Sequence, residues 1–178
     1  LVFAGCLGFF ENQENPLLKY FPDDSRKGVA LVSINEKGMD EIREYVGLGL
    51  TSLFGGSALR QVKSVEGGLG MYEDNSTVFV FVLQTKNSLE EFVDDYGEGG
   101  LLSYLGGKTT KEKRDINGRT VYAIYGSYDT KKESPLCAWV EGDGIAVMST
   151  SSSYNQPKLP CLEVLRKTYP TDTAKKLL

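Results

Sequence analysis

The sequence of 178 residues predicts an α+β domain, a mostly antiparallel sheet with helices packed on one face. Runs of β-branched and aromatic residues separated by short turn sequences predict hairpins. Two segments with apolar residues at helical spacing predict amphipathic helices. Tight turns join most neighbouring strands, which argues against a doubly wound parallel sheet, because parallel strands need long crossovers.

The first predicted strand is the apolar, β-branched run Gly28–Ile34. A run of this kind is typical of a strand buried on both faces. Asn35 follows at the position of a helix cap, and a helix is predicted behind it, with Gly47 and Gly49 as points where it bends or breaks. Its apolar residues at helical spacing are Met39, Ile42, Val46, Leu50 and Leu53.

A hairpin is predicted from Val62–Tyr72 and Thr77–Thr85, joined by a four-residue turn. Its second strand is apolar on both sides and is therefore expected at the centre of the sheet. Ser88 and Glu91 form a capping box, which predicts the start of another helix. The buried stripe of that helix is Leu89, Phe92, Val93 and Tyr96.

Two hairpins and a helix are predicted in the last third of the chain. The first pairs Lys108–Ile116 with Arg119–Tyr128 around Asn117-Gly118, a strong turn signal. The second pairs Leu136–Glu141 with Ile145–Thr150, and a short helix follows near Pro160–Thr168. The whole order begins like a ferredoxin-type β-α-β-β-α-β unit that C-terminal hairpins extend.

Composition excludes several classes of function. The chain has no histidine, so Ser-His-Asp and Cys-His catalysis and histidine-ligated metals are excluded within it. A net charge of −4 gives no indication of nucleic-acid binding, which needs several cations on one face. No apolar run reaches about 18 residues, so no membrane-spanning helix is predicted. The sequence predicts neither a cofactor nor a metal.

The N-terminal residues have the pattern expected of a targeting signal. The small residues Ala4 and Gly5 precede Cys6 after a short apolar stretch, and polar residues follow from Glu11. This stretch resembles the lipobox of secreted lipoproteins, although Phe3 departs from its usual leucine. In style the chain resembles the small surface lipoproteins of archaea and bacteria.

That resemblance implies a lipid on Cys6 that anchors the protein to the outer face of the cell membrane. Residues 1–15 would then be the remnant of the signal and a tether, and residues 16–178 a single domain. The alternative is that residues 1–10 form a buried first strand or helix.

The other two cysteines and one asparagine are candidate modification sites. Export would place Cys137 and Cys161 in oxidising surroundings, which favours a disulfide between them. The alternative is two buried thiols that pack as small apolar side chains. Asn75-Ser76-Thr77 is an acceptor sequence for N-glycosylation in a predicted hairpin loop.

Aromatic residues supply the candidate ligand-binding site. Tyr122 and Tyr128 are expected on one face of their strand and Tyr125 on the other, with Trp139 on the neighbouring hairpin. Together they could line a binding surface, or they could fill the core between sheet and helices.

Acidic residues offer a weaker site. Asp94, Asp95 and Glu98 form a cluster, but their spacing matches no calcium loop, so a solvated helix face is the alternative.

These features favour a non-enzymatic, lipid-anchored extracytoplasmic domain with a binding or structural role. Its partner would be another surface protein or a small ligand. The alternative is a histidine-free hydrolase that uses carboxylates such as Asp94 and Asp95, or a serine of Ser149–Ser153.

Overall fold

The computed structural model describes residues 15–23, 25–46, 61–99, 109–126, 136–151 and 160–169. A 3-10 helix, Pro16–Tyr20, comes first. The strands are β1 (Arg26–Ile34), β2 (Val62–Tyr72), β3 (Thr77–Thr85), β4 (Thr110–Ile116), β5 (Arg119–Tyr125), β6 (Leu136–Glu141) and β7 (Gly144–Ser151). The α-helices are α1 (Glu36–Val46), α2 (Leu89–Gly99) and α3 (Cys161–Thr168).

All seven strands form one antiparallel sheet in the order β1-β2-β3-β7-β6-β5-β4. The last strands of the two halves of the chain, β3 and β7, pair at its centre, with Leu83 opposite Ile145. In the described part of the chain β1 and β4 are the edges. The predicted α+β class with a mostly antiparallel sheet is confirmed, and β3 is central as expected.

The helices pack on both faces of the sheet, so the prediction of helices on one face is wrong. On one side, here the α3 face, the 3-10 helix and α3 cover a core around Trp139 and Met148. On the other, the α2 face, α1 and α2 cover a core around Leu83 and Val147. The central strands are apolar on both sides, so each face needs a helical layer to bury it.

The structure does not confirm the ferredoxin-like start. A split β-α-β unit joins two parallel strands through a helix. Here β1 and β2 flank α1 in the sequence but are antiparallel neighbours, with Val29 opposite Gly70. All strand pairs among the described residues are antiparallel, and the sheet continues as a meander from β4 to β7.

β1 corrects a second expectation, since it is not buried on both faces. Its place at the edge of the sheet leaves Ala30, Val32 and Ser33 exposed. Val29 and Leu31, on the α3 face, are partly buried against the core. The strand is therefore half covered, although its composition is typical of a fully covered one.

The local signals in the sequence are satisfied where they were expected. The Asn35 carboxamide oxygen accepts from the Gly38 N–H at 2.9 Å at the start of α1. The Ser88 N–H donates to the Glu91 carboxylate at 2.8 Å, and the Glu91 N–H donates to the Ser88 hydroxyl at 3.2 Å. The β4–β5 turn holds Asn117 and Gly118 at φ 54° and 81°, as a two-residue hairpin loop requires.

Candidate binding surface

The four aromatic residues proposed to bind a ligand do not share a surface in the described structure. Trp139 is fully buried on the α3 face, where its ring lies 5.4 Å from that of Tyr20. Tyr125 is buried on that same face. Tyr122 lies on the α2 face, partly exposed, and its hydroxyl donates to Glu90 at 3.1 Å. Tyr128 lies outside the described residues.

A polar cluster lies beside Trp139, around the carboxylate of Glu141. Tyr169 donates its hydroxyl proton to Glu141 at 2.6 Å, and the hydroxyl of Tyr20 lies 2.5 Å from that of Tyr169. Since the Tyr169 proton is used on Glu141, Tyr20 donates to Tyr169. The Lys19 ammonium pairs with the same carboxylate at 2.6 Å.

Burial and hydrogen bonding have opposite effects on the pKa of Glu141 in this cluster. Burial by itself would raise the pKa of Glu141, but hydrogen bonds from Lys19 and Tyr169 outweigh it and lower the pKa to about 2. Burial raises the pKa of Tyr20 well above its usual value. Arg119 also pairs with Glu141, at 3.4 Å. The cluster therefore stays as one anion among neutral tyrosines and two cations, and it ties the 3-10 helix and α3 to the end of β6.

Among the described residues, the exposed large apolar side chains lie on the α2 face. We call Ala30, Val32, Leu69, Met71 and Phe79 the open face. Val32, Met71 and Phe79 are 43%, 47% and 37% exposed, which is unusual for large apolar side chains in a sheet. Ala30 pairs with Leu69, and Leu69 pairs with Phe79, so the residues are adjacent across three strands.

The glycines of β2 allow aromatic rings to pack directly against the strand backbone. Gly67 lies between Val32 on β1 and Phe81 on β3. A Cβ atom at Gly67 would lie 2.2 Å from the Phe81 ring, so the ring lies directly over the glycine backbone. Gly68 and Gly70 accept the Phe21 ring in the same way on the α3 face. Glycine inside a strand often marks such close approach.

The two edges of the described sheet differ in charge. β4 carries five charged residues in succession, from Lys111 to Asp115, which is how edge strands usually avoid pairing with other chains. β1 carries Arg26 and Lys27 at its start and no charge from Gly28 to Ile34. The open face therefore adjoins an edge without protective charges.

The remaining candidate residues lie apart from the open face or outside the described residues. Cys137 and Cys161 are both buried, their sulfur atoms at bonding distance and their Cα atoms 6.0 Å apart, so the predicted pair forms in the structure. Asn75 is exposed in the β2–β3 turn at φ 62°. Cys6 lies outside the described residues.

The acidic helix face is engaged with β4. Asp94 accepts from the Lys111 ammonium at 2.8 Å, and Glu90 pairs with Lys113 at 3.6 Å. Within the described residues no three metal-ligating side chains cluster. The structure thus brings the carboxylates of α2 to the basic residues of β4 rather than to one another.

Comparison with protein-family models, with curated proteins and with solved structures found no match. No helix in the described ranges is long and apolar enough to cross a membrane. Sequence reasoning missed the open face because its residues have the composition of core residues, and their exposure depends on strand order and on which part of the sheet the helices cover.

Proposed function

We propose that this protein is a non-enzymatic extracytoplasmic domain, anchored by a lipid on Cys6, that binds another protein at the cell surface. The single observation that carries the proposal is the buried Cys137–Cys161 pair. Disulfides form and persist in oxidising compartments and are rare in the cytosol. The pair therefore agrees with the export that the residues around Cys6 indicate.

The open face supports the binding role. Contiguous exposed apolar surface marks interaction sites on soluble proteins, and here it adjoins β1, whose outer edge pairs with no other described strand. For the hydrolase alternative, the Asp94 carboxylate is already paired with the Lys111 ammonium at 2.8 Å.

The experiment that tests anchoring is mass spectrometry of the mature N-terminus of the protein isolated from its own cells. We expect Cys6 as the first residue, carrying lipid. Replacing Cys6 with serine should release the protein from the membrane fraction, because the anchor is lost. The matched control, Cys137→Ala with Cys161→Ala, should leave it there. An unmodified thiol at Cys6 behind further residues would contradict the proposal.

A further inference from the structure

The edge strand β1 and the open face beside it form one continuous surface without a partner in the described structure. Gly28–Ile34 has the composition of a strand covered on both faces, yet Ala30 and Val32 are exposed and no described strand pairs with the outer edge of β1. We propose that a second copy of this chain pairs there, β1 against β1, antiparallel. The proposal rests on the binding role above and names its partner.

The direction of pairing follows from the charges on β1. A parallel pair in register would place Arg26 and Lys27 of one copy beside the same cations of the other, which is unfavourable. An antiparallel pair related by a two-fold axis places the cationic start of β1 against the end of the other β1, where Glu36 begins α1. Opposite charges then meet at both ends of the interface.

The register follows from symmetry and charge together. Directly opposed residues in an antiparallel pair lie on the same face, so the axis must pass between one residue and its own copy. With Leu31 opposite Leu31, the start of β1 lies beside Asn35 and Glu36 of the second copy. The exposed Lys27 then approaches the exposed Glu36, whereas Arg26 is already paired with Asp23 of its own chain at 2.7 Å. This register also sets Ala30 opposite Val32 of the second copy, so the two open faces join into one apolar surface.

The other edge explains why pairing stops at two copies. The described β4 edge carries five consecutive charged residues, Lys111–Asp115, and its charges oppose addition of another strand. A single unprotected edge gives a closed two-fold dimer rather than a filament. One strand pair and its flanking side chains make a small interface, so we expect a dissociation constant of about 1–100 µM.

The first test is sedimentation velocity of the purified protein between about 1 and 500 µM, a range that spans the expected dissociation constant. We expect the native chain to pass from monomer to dimer. Ala30→Lys with Val32→Lys would place lysines opposite each other twice, and should weaken the dimer at least ~10-fold.

The matched control is Val140→Lys, since Val140 is 49% exposed on the same sheet face but lies on β6. It should leave the dissociation constant unchanged. A native chain that stays monomeric throughout, or a dimer weakened equally by the control, would overturn the proposal.

The second test determines the register between the two β1 strands by disulfide cross-linking, with substitutions small enough to preserve the fold. In a Cys6→Ser background, Ala30→Cys and Val32→Cys proteins are mixed and oxidised. Opposed residues in an antiparallel pair have Cα atoms ~4.5–5.5 Å apart, within disulfide reach, whereas identical residues lie on the longer diagonal. Cross-linked dimer should therefore form in the mixture and much less in either protein alone.

Equal cross-linking in all three samples would overturn the register. Both tests use purified protein without a membrane, so their failure is distinguishable from failure of the lipid anchor at Cys6, which is read by mass spectrometry.

Discussion

The carboxylate of Glu141 is the common hydrogen-bond acceptor of the polar cluster. It receives hydrogen bonds from the Lys19 ammonium, the Tyr169 hydroxyl and the indole N–H of Trp139, the last at 3.3 Å. Only 21% of the side chain is exposed, so these donors replace much of its hydration. Glu141 therefore stabilises the fold through hydrogen bonds that depend on its negative charge.

Glu141 should therefore give the protein a distinct acid sensitivity. Its pKa lies near 2 in the folded state against 4.5 for the free side chain, so its stabilisation is complete above pH 4.5 and is lost as the pH falls toward 2. Allowing for solvent screening, Glu141→Gln should lower the free energy of unfolding by about 1–2 kcal/mol at neutral pH. The free energy of unfolding of this variant should also depend less on pH between pH 4.5 and 2. Urea unfolding measured against pH checks this.

The control for that measurement is Glu73→Gln, because Glu73 is exposed in the β2–β3 turn. It should unfold like the native protein at every pH. If Glu141→Gln keeps the native acid profile, the hydrogen bonds around Glu141 do not favour its charged form.

At the scale of the elements, β2 is built around close contacts. It pairs with β1 and β3 along its length and carries glycine at 67, 68 and 70. These glycines leave room for Phe81 on the α2 face and Phe21 on the α3 face. Glycine usually weakens a strand, and here the packed rings offset that cost.

Gly67→Ala should destabilise the protein by about 1–3 kcal/mol, because the new methyl group meets the Phe81 ring and the Val80 carbonyl oxygen, 2.6 Å away. The backbone carbonyl cannot move aside as a flexible side chain can. Gly28→Ala is the matched control, since nothing lies within 4 Å of a Cβ there. Thermal unfolding of both variants checks the difference, and equal melting temperatures would contradict the packing described.

For the whole molecule, the disulfide joins α3 to the middle of the sheet. Cys137 lies on β6 beside Trp139, and Cys161 begins α3, 24 residues later. The bond therefore closes a loop that includes β7, the central partner of β3. Closing this loop restricts the unfolded chain, which stabilises the folded state by roughly 3.5 kcal/mol in the chain-entropy model.

Replacing both Cys137 and Cys161 with alanine should lower the free energy of unfolding by about 3–4 kcal/mol. Equilibrium unfolding in urea measures this, and reduced native protein is the control that should resemble the variant. In the denatured, unreduced native protein, titration should find no thiol beyond Cys6. Two additional thiols would show that Cys137 and Cys161 are not joined in solution.

The amino-acid sequence alone determined the local structure and the central position of β3. Turn residues such as Asn117-Gly118 and the Ser88–Glu91 box act within a few residues, so hairpins and helix starts are readable from spacing. The Cys137–Cys161 pair was also predicted from the sequence, because the expected export and the expected lipid on Cys6 leave two cysteines to pair. The sequence did not show whether the candidate aromatic residues are exposed, because the exposure of Trp139 depends on which distant elements pack over it.

Only the tertiary structure decided which strands lie at the edge and which faces the helices cover. An apolar run such as Gly28–Ile34 has the same composition at the centre or the edge of a sheet, because strand order depends on contacts between distant residues. The same holds for Glu141, whose partners Lys19 and Tyr169 come from opposite ends of the chain. Long-range packing thus created both the open face and the polar cluster from residues whose local patterns are ordinary.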